Sequence, residues 1–374
     1  MRQPAHGGNL AWAAALAGCP PDAILDFSAS ISPLGPPNSA IAAIVSQIGN
    51  IKHYPDPNYS ELRLALSHFH QLPSEWILPG NGSAELLTLI GRELAQLAAT
   101  ILITPAFGDY YRTLAAYNAK VLECPLISSE RRVPSAELLV LLSTQHGLNL
   151  SYPLTALSTH CGLLLNNPHN PTGKLLSRES ILPYLEQFAL VVVDEAFMDF
   201  VPPNEEQSLI PVVQEYRNLV VLRSLTKFYS LPGLRLGYAI AHPDCLAKWQ
   251  LWRDPWPVNT LAAAAAIAAL QDTEFQQQTW AWLPPARNQL FQGLNEIPGL
   301  QPQASATNFL LVESQESTLQ LQQQLLKHHQ ILIRDCLSFK ELGDRFFRVA
   351  IRKESDNQRL LTALSGEWGV GSRE

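Results

Sequence analysis

The 374-residue chain carries 26 lysines and arginines against 33 aspartates and glutamates, a net charge of -7, with 47% hydrophobic and 16% charged residues. That balance excludes a disordered chain, and the lack of a basic block removes the usual basis for binding nucleic acid. A single hydrophobic core rarely serves more than about 250–300 residues, so two packed units are expected.

In chain order, the apolar stretch 10–17 follows His6-Gly7-Gly8-Asn9 with only Arg2 basic, and predicts an early helix rather than a signal peptide. A Pro-rich run, Ser32-Pro33-Leu34-Gly35-Pro36-Pro37, closes an N-terminal segment taken as 1–45. Beyond it, residues 46–250 alternate short apolar runs with helix-like stretches, the pattern of βαβ units on a mostly parallel sheet. Four runs have the length and composition of strands buried on both faces: 100–104 (TILIT), 162–165 (GLLL), 190–193 (LVVV) and 219–222 (LVVL). The last third, 251–374, predicts a smaller α+β unit that the N-terminal segment joins. It has helices near 259–271 and 319–328 and strand-like pieces at 330–334 and 346–352. The alanine-rich stretch 261–270 is too short to cross a bilayer. The five cysteines are odd in number and have no CxxC spacing, so neither a disulfide framework nor a metal site is expected, and a reducing cytoplasm is.

In open α/β sheets ligands bind outside the carboxyl ends of the strands. There this chain places Phe107-Gly108-Asp109-Tyr110, Asn166-Asn167-Pro168-His169-Asn170-Pro171-Thr172-Gly173, Asp194-Glu195-Ala196-Phe197 and Ser224-Leu225-Thr226-Lys227. Lys227 alone reads as a snorkelling surface lysine, and Asp194 alone as an ion pair or helix cap. Together, an amine and an acid at the rim of an apolar sheet suit pyridoxal-phosphate chemistry, which needs a lysine to form an imine and an acid to keep the pyridine nitrogen protonated. Pro79-Gly80-Asn81-Gly82-Ser83 opens a helical pattern whose free N–H groups suit a phosphate, and Arg235 offers a second phosphate ligand; each also reads as an ordinary turn or ion pair.

The motifs NPHNPTG (167–173), DEAF (194–197), SLTK (224–227) and PGLRLGY (232–238), in this order, resemble fold-type I pyridoxal-phosphate enzymes. Within these the chain resembles the branch holding histidinol-phosphate aminotransferases and threonine-phosphate decarboxylases. The resemblance implies pyridoxal 5'-phosphate carried on Lys227, with Asp194 at its pyridinium nitrogen, Asn170 at its phenolic oxygen and Phe107 on its ring face. Gly82, Ser83, Ser224, Thr226 and Arg235 would hold its phosphate. Tyr54 would reach the neighbouring subunit's cofactor, which implies a homodimer. Arg348 would take the substrate carboxylate, with Arg352 on the same strand face looking inward or pairing with an acid.

His6-Gly7-Gly8-Asn9, Asp26-Phe27-Ser28-Ala29 and 331–336 (ILIRDC) look decarboxylase-like, and by that resemblance His6 and Arg334 would grip a substrate phosphate. Ser30 and Ser32 depart from the Asn residues expected there, and Phe197 replaces a Tyr common in the aminotransferases. The implied reaction is decarboxylation of L-threonine O-3-phosphate to (R)-1-amino-2-propanol O-2-phosphate in cobalamin biosynthesis. Aminotransfer on histidinol phosphate or a related amine is the alternative, and cofactor binding without turnover a second one. No nucleic acid and no membrane is expected as partner.

Overall fold

Within the run 190–193, Val191 and Val193 enter one apolar cluster while Val192 enters another across the sheet. Leu219 and Val221 part from Val220 and Leu222 in the same way, as side chains of successive strand residues must. All of these are at most 8% exposed, so the sheet is covered on both faces and its strands show no polar alternation.

The computed structural model describes residues 6–126 and 160–367. Its strands in chain order are β1 (Leu25–Asp26), β2 (Ile77–Asn81), β3 (Ala99–Thr104), β4 (Val121–Pro125), β5 (Cys161–Asn166), β6 (Leu190–Asp194), β7 (Leu219–Ser224), β8 (Leu236–Ala241), β9 (Leu300–Pro302), β10 (Phe309–Ser314), β11 (Ile331–Leu332), β12 (Arg334–Asp335) and β13 (Phe346–Ala350). The central sheet runs β2-β8-β7-β6-β5-β3-β4. β8 is antiparallel to both of its neighbours, and the remaining pairs are parallel. The carboxyl ends of β3, β5, β6 and β7 therefore open on one side, with Asn166 opposite Asp194 in the register. This is the α/β architecture expected. All four anticipated runs are strands, each longer than anticipated by one or two residues.

The C-terminal region builds an antiparallel sheet, β12-β13-β10-β9, and β1 pairs in parallel with β11. Two expectations are corrected here. The piece 330–334 is not one strand: the chain pairs with β1 up to Leu332, passes Ile333, then pairs with β13 from Arg334. The piece 346–352 stops at Ala350, so Arg352 lies beyond the strand, where its Nε donates to Asp356 Oδ2 at 3.0 Å. Of the two alternatives left for Arg352, pairing with an acid is the one observed.

The helix Leu10–Ala17 forms as expected, with the Asn9 side chain capping Trp12 N and a left-handed Gly18 ending it. Thr260–Gln271 and Thr318–His329 match the other two expected helices. A 23-residue helix, Thr273–Asn295, was hidden by its internal Pro284-Pro285 pair. Among the described residues no helix is long and apolar enough to cross a membrane, and all five cysteines are free.

Candidate active site

A cavity of about 220 Å³ lies at the carboxyl edge of the central sheet. Its walls include four separate stretches of chain: Ser224 at the end of β7 with Lys227 after it, Asp194 at the end of β6, Asn166 at the end of β5 with Asn170 after it, and Phe107 after β3. The N-terminal segment adds His6 and Ser30, and the C-terminal sheet adds Arg334 and Arg348. A lysine and an acid 33 positions apart in sequence thus share one enclosed space. A larger, open groove lined by Asn288, Gln292 and Gln358 lies elsewhere, beside the helix Thr273–Asn295, and has no lysine, histidine or cysteine among its described lining residues.

Asp194 is held by two donors. The Tyr110 hydroxyl donates to its Oδ2 at 2.7 Å and Ala196 N donates to Oδ1 at 3.0 Å. Burial raises its pKa, while these donors and the Lys227 charge pull it back. Two donors on two oxygens favour the carboxylate form, so Asp194 can hold a proton on a basic nitrogen in front of it. Tyr110 was not anticipated; its signal was position, three residues after Phe107 on the helix Gly108–Ala116, which begins right after that ring.

Burial, with the charges of Arg348 and Arg235, lowers the Lys227 amine from 10.5 to about 8, against the opposing pull of Asp194 and Asp26. A lysine so placed is neutral often enough near pH 8 to attack a carbonyl carbon. Asn170 is oriented by its neighbour. Arg348 Nη1 donates to Asn170 Oδ1, and a guanidinium can only donate, so the Asn170 NH₂ is left as a donor. Asn170 N in turn donates to Asn166 Oδ1 at 2.6 Å, and Asn166 Nδ2 donates to the Asp194 carbonyl, tying β5 to β6. Arg348 also donates to Ser28 O at 3.3 Å and lies 4.8 Å over the Phe309 ring, while its Nε has no partner among the described residues. Burial and Arg334 push its pKa down to about 10.

At the opposite end of the cavity the groups are donors. The helix Gly82–Leu94 brings its N-terminus and Ser83 to the wall beside Ser224, Thr226 and Arg235. Gly82 has φ +73°, and a Cβ there would stand 2.6 Å from Arg235 Nη2, so glycine is what lets the guanidinium reach the helix start.

The N-terminal segment enters for a physical reason. A Cβ on Gly7 would meet Ser28 O at 2.3 Å, and Gly8 has φ +81° while its N donates to Ser28 Oγ at 2.8 Å. This close approach carries His6 to the cavity, 5.5 Å from the Phe107 ring. Ala5, which precedes it in the motif, lies outside the described residues. Burial and the Arg334 charge lower the His6 pKa. Of the anticipated residues only Gly82 and Tyr54 are off the wall: Gly82 stands behind Ser83, and Tyr54 is 79% exposed and stacked on Trp256 at 4.4 Å. Cys161 sits in the core at the start of β5, away from the site.

These residues fit pyridoxal 5'-phosphate by the chemistry of the donor set. A cluster of phosphate donors, an acid held by two hydrogen-bond donors, a ring-sized apolar wall at Phe107 and a depressed lysine line one space.

The family model for aminotransferase class I and II matches residues 22–364. A threonine-phosphate decarboxylase of Salmonella typhimurium is 38% identical over 369 residues, covering 96% of this chain and 95% of that protein. A histidinol-phosphate aminotransferase of Symbiobacterium thermophilum is 32% identical over 91% of this chain and 89% of its own. Among solved structures, the histidinol-phosphate aminotransferase of Sinorhizobium meliloti in complex with pyridoxal-5'-phosphate superposes with a TM-score of 0.81, at 22% identity, over 96% of this chain and 94% of that one.

Proposed function

The chain belongs to the class I and II aminotransferase family, with pyridoxal 5'-phosphate as its cofactor, and from that premise we propose that it decarboxylates L-threonine O-3-phosphate to (R)-1-amino-2-propanol O-2-phosphate, in cobalamin biosynthesis. The carrying observation is the convergence of His6, Arg334 and Arg348 on the cavity that holds Lys227 and Asp194. Beyond the donor set reserved for the cofactor phosphate, these residues offer anchors for two further anions, the carboxylate and phosphate of a short substrate. The 38% identity to a threonine-phosphate decarboxylase supports the same substrate.

When bound, the cofactor supplies an electron sink for the pair released as a bond at the substrate's α-carbon breaks. In this reading Asp194 keeps the ring nitrogen protonated and Asn170 donates to the phenolic oxygen. Gly82, Ser83, Ser224, Thr226 and Arg235 hold the cofactor phosphate, and Phe107 covers one ring face. Arg348 takes the carboxylate, while His6 and Arg334 take the distal phosphate, so binding energy becomes orientation. Two fixed ends leave the α-carbon one rotational setting, and that setting decides which bond breaks. Lys227 Nζ then returns a proton to the α-carbon. Purified protein given threonine phosphate without a keto acid is expected to release carbon dioxide stoichiometrically. Strict dependence on 2-oxoglutarate would favour aminotransfer instead, and neither activity from a cofactor-loaded protein would leave binding without turnover.

The same reading makes the working unit a homodimer in the cytoplasm. Ile41, Val45 and Ile48 recur at helical spacing along Asn38–Gln47 and its extension, followed by Ile51, and all are 45–66% exposed. An apolar stripe of this kind on a soluble protein supports a covering partner. It leads directly to Tyr54, which supports a second copy whose cofactor phosphate Tyr54 reaches. Val45→Asp with Ile51→Glu is expected to shift the protein from dimer to monomer in sedimentation and to loosen the cofactor at least tenfold. A dimer unchanged by both substitutions sinks this part. The unit boundaries 1–45, 46–250 and 251–374 belong to the proposal as well, supported by β1 pairing with β11.

A further inference from the structure

From the loop after β12 we infer that Ser338 is a specificity-determining ligand of the substrate's distal phosphate, completing a subsite with His6 and Arg334; this rests on the phosphorylated-substrate reading above. Arg334 Nη2 donates to Ser338 Oγ at 2.6 Å, and a guanidinium has no acceptor, so the serine oxygen is the acceptor in that contact. The hydroxyl's own proton is then left to donate elsewhere. Among the described residues no acceptor takes it, and Ser338 is partly exposed on the wall that also holds His6, Arg334 and Phe107.

Two acids stand nearby and both are engaged. Asp335 accepts from Leu337 N at 3.2 Å, from Gln322 Nε2 at 3.2 Å and from Arg334 Nη1 at 3.5 Å. Asp109, on the cavity wall, is paired to Arg112 through both oxygens. The His6 ring and the Arg334 guanidinium line the same wall, and with them the Ser338 hydroxyl proton makes a donor set suited to the oxygens of one phosphate.

The loop that carries Ser338 is pinned at its far side. Lys340 Nζ donates to Glu123 Oε1 at 2.7 Å, on β4, and lies 4.7 Å over the Tyr111 ring. Within the loop, Phe339 N donates to Cys336 O at 2.9 Å, and Phe339 faces the cavity. Ser338 is therefore held between a strand of the C-terminal sheet and the edge of the central sheet.

The test uses the cofactor-loaded protein and 3-phosphooxybutyrate, which is threonine phosphate without its amine and cannot react with Lys227. By calorimetry, Ser338→Ala is expected to weaken this ligand about tenfold, as loss of a hydrogen bond to a charged group does. Ser338→Thr, which keeps the hydroxyl, is expected to stay within about threefold of wild type. Binding of unphosphorylated 3-hydroxybutyrate, titrated at millimolar concentration, should change less than about twofold in either variant. Equal losses for both ligands would mean that Ser338 only positions the loop, and no loss for either would mean no contact; each overturns the inference. A wild-type protein that fails to prefer the phosphorylated ligand overturns the function reading itself, which separates the two failures.

Discussion

Replacing Lys227 with alanine is expected to slow carbon dioxide release at least ~1,000-fold and to abolish the visible absorbance of lysine-bound cofactor, while leaving the cofactor in place. The two effects separate because different atoms carry them. In the proposed reading, covalent attachment and proton return to the α-carbon would both belong to Nζ. Retention would belong to the donor set at Ser83, Ser224, Thr226 and Arg235 and to Asp194, which line the same cavity and which the substitution leaves in place. A variant keeping more than a tenth of wild-type activity, or the same visible band, would remove Lys227 from the chemistry.

The depressed amine adds a pH signature in the cofactor-free protein. Its folded pKa is about 8, against 10.5 ordinarily, because burial and two guanidinium charges disfavour the cation. Between these values the unfolded chain binds a proton that the folded chain does not, so stability rises with pH across that window. Below pH 8 both states are protonated and the penalty is fully present. Urea midpoints measured from pH 7.5 to 10 should therefore climb in wild type more than in Lys227→Met, provided the comparison is made between the two proteins under matched conditions.

The central sheet was legible because its strands are covered on both faces: an uninterrupted apolar run such as 190–193 has few other uses. The cavity was legible at strand ends for the same reason, since Asp194 and Lys227 are polar exactly where apolar character stops, and the motifs then supplied roles. What the sequence hid was set by contacts across the chain. Tyr110 is one more aromatic on a helix until its hydroxyl is seen on Asp194. Ser338 is one more loop serine until Arg334 orients it. The break at Ile333 follows from two different partners, β1 and β13, and local composition carries no trace of that switch. Ser30, flagged as a departure from Asn, does line the cavity, but its buried hydroxyl has no partner among the described residues and nothing in the structure assigns it a role.

Arg223→Met is expected to destabilise the protein by ~3–5 kcal/mol, the cost of stranding buried charges. Arg223 is 2% exposed and gathers three carboxylates: its Nε donates to Glu195 Oε2 at 2.9 Å, its Nη1 to Asp199 and its Nη2 to Glu206. Glu195 also accepts from Ser208 Oγ at 2.7 Å and Leu209 N at 2.8 Å; burial raises its pKa to about 7, and Arg223 with these two donors opposes that rise. The methionine fills much the same volume but leaves Glu195 and Asp199 facing each other without a counter-charge. Burial already holds both folded pKa values above the ordinary ones, Glu195 at about 7, and loss of the guanidinium pushes them higher still. Below about pH 4, where both states are protonated, the loss is small; it grows as pH rises through the raised values, because only the unfolded chain ionises freely. Urea unfolding at pH 5 and pH 8 should show the larger deficit at pH 8, and adding Glu195→Gln should recover part of it. The cluster also bears on the site, since Glu195 follows Asp194 and Arg223 precedes Ser224: the guanidinium ties the tips of β6 and β7, one ending in Asp194 and the other in Ser224, both on the cavity wall. A variant within about 1 kcal/mol of wild type at both pH values would show that the sheet edge is held by packing and that the charges are incidental to it.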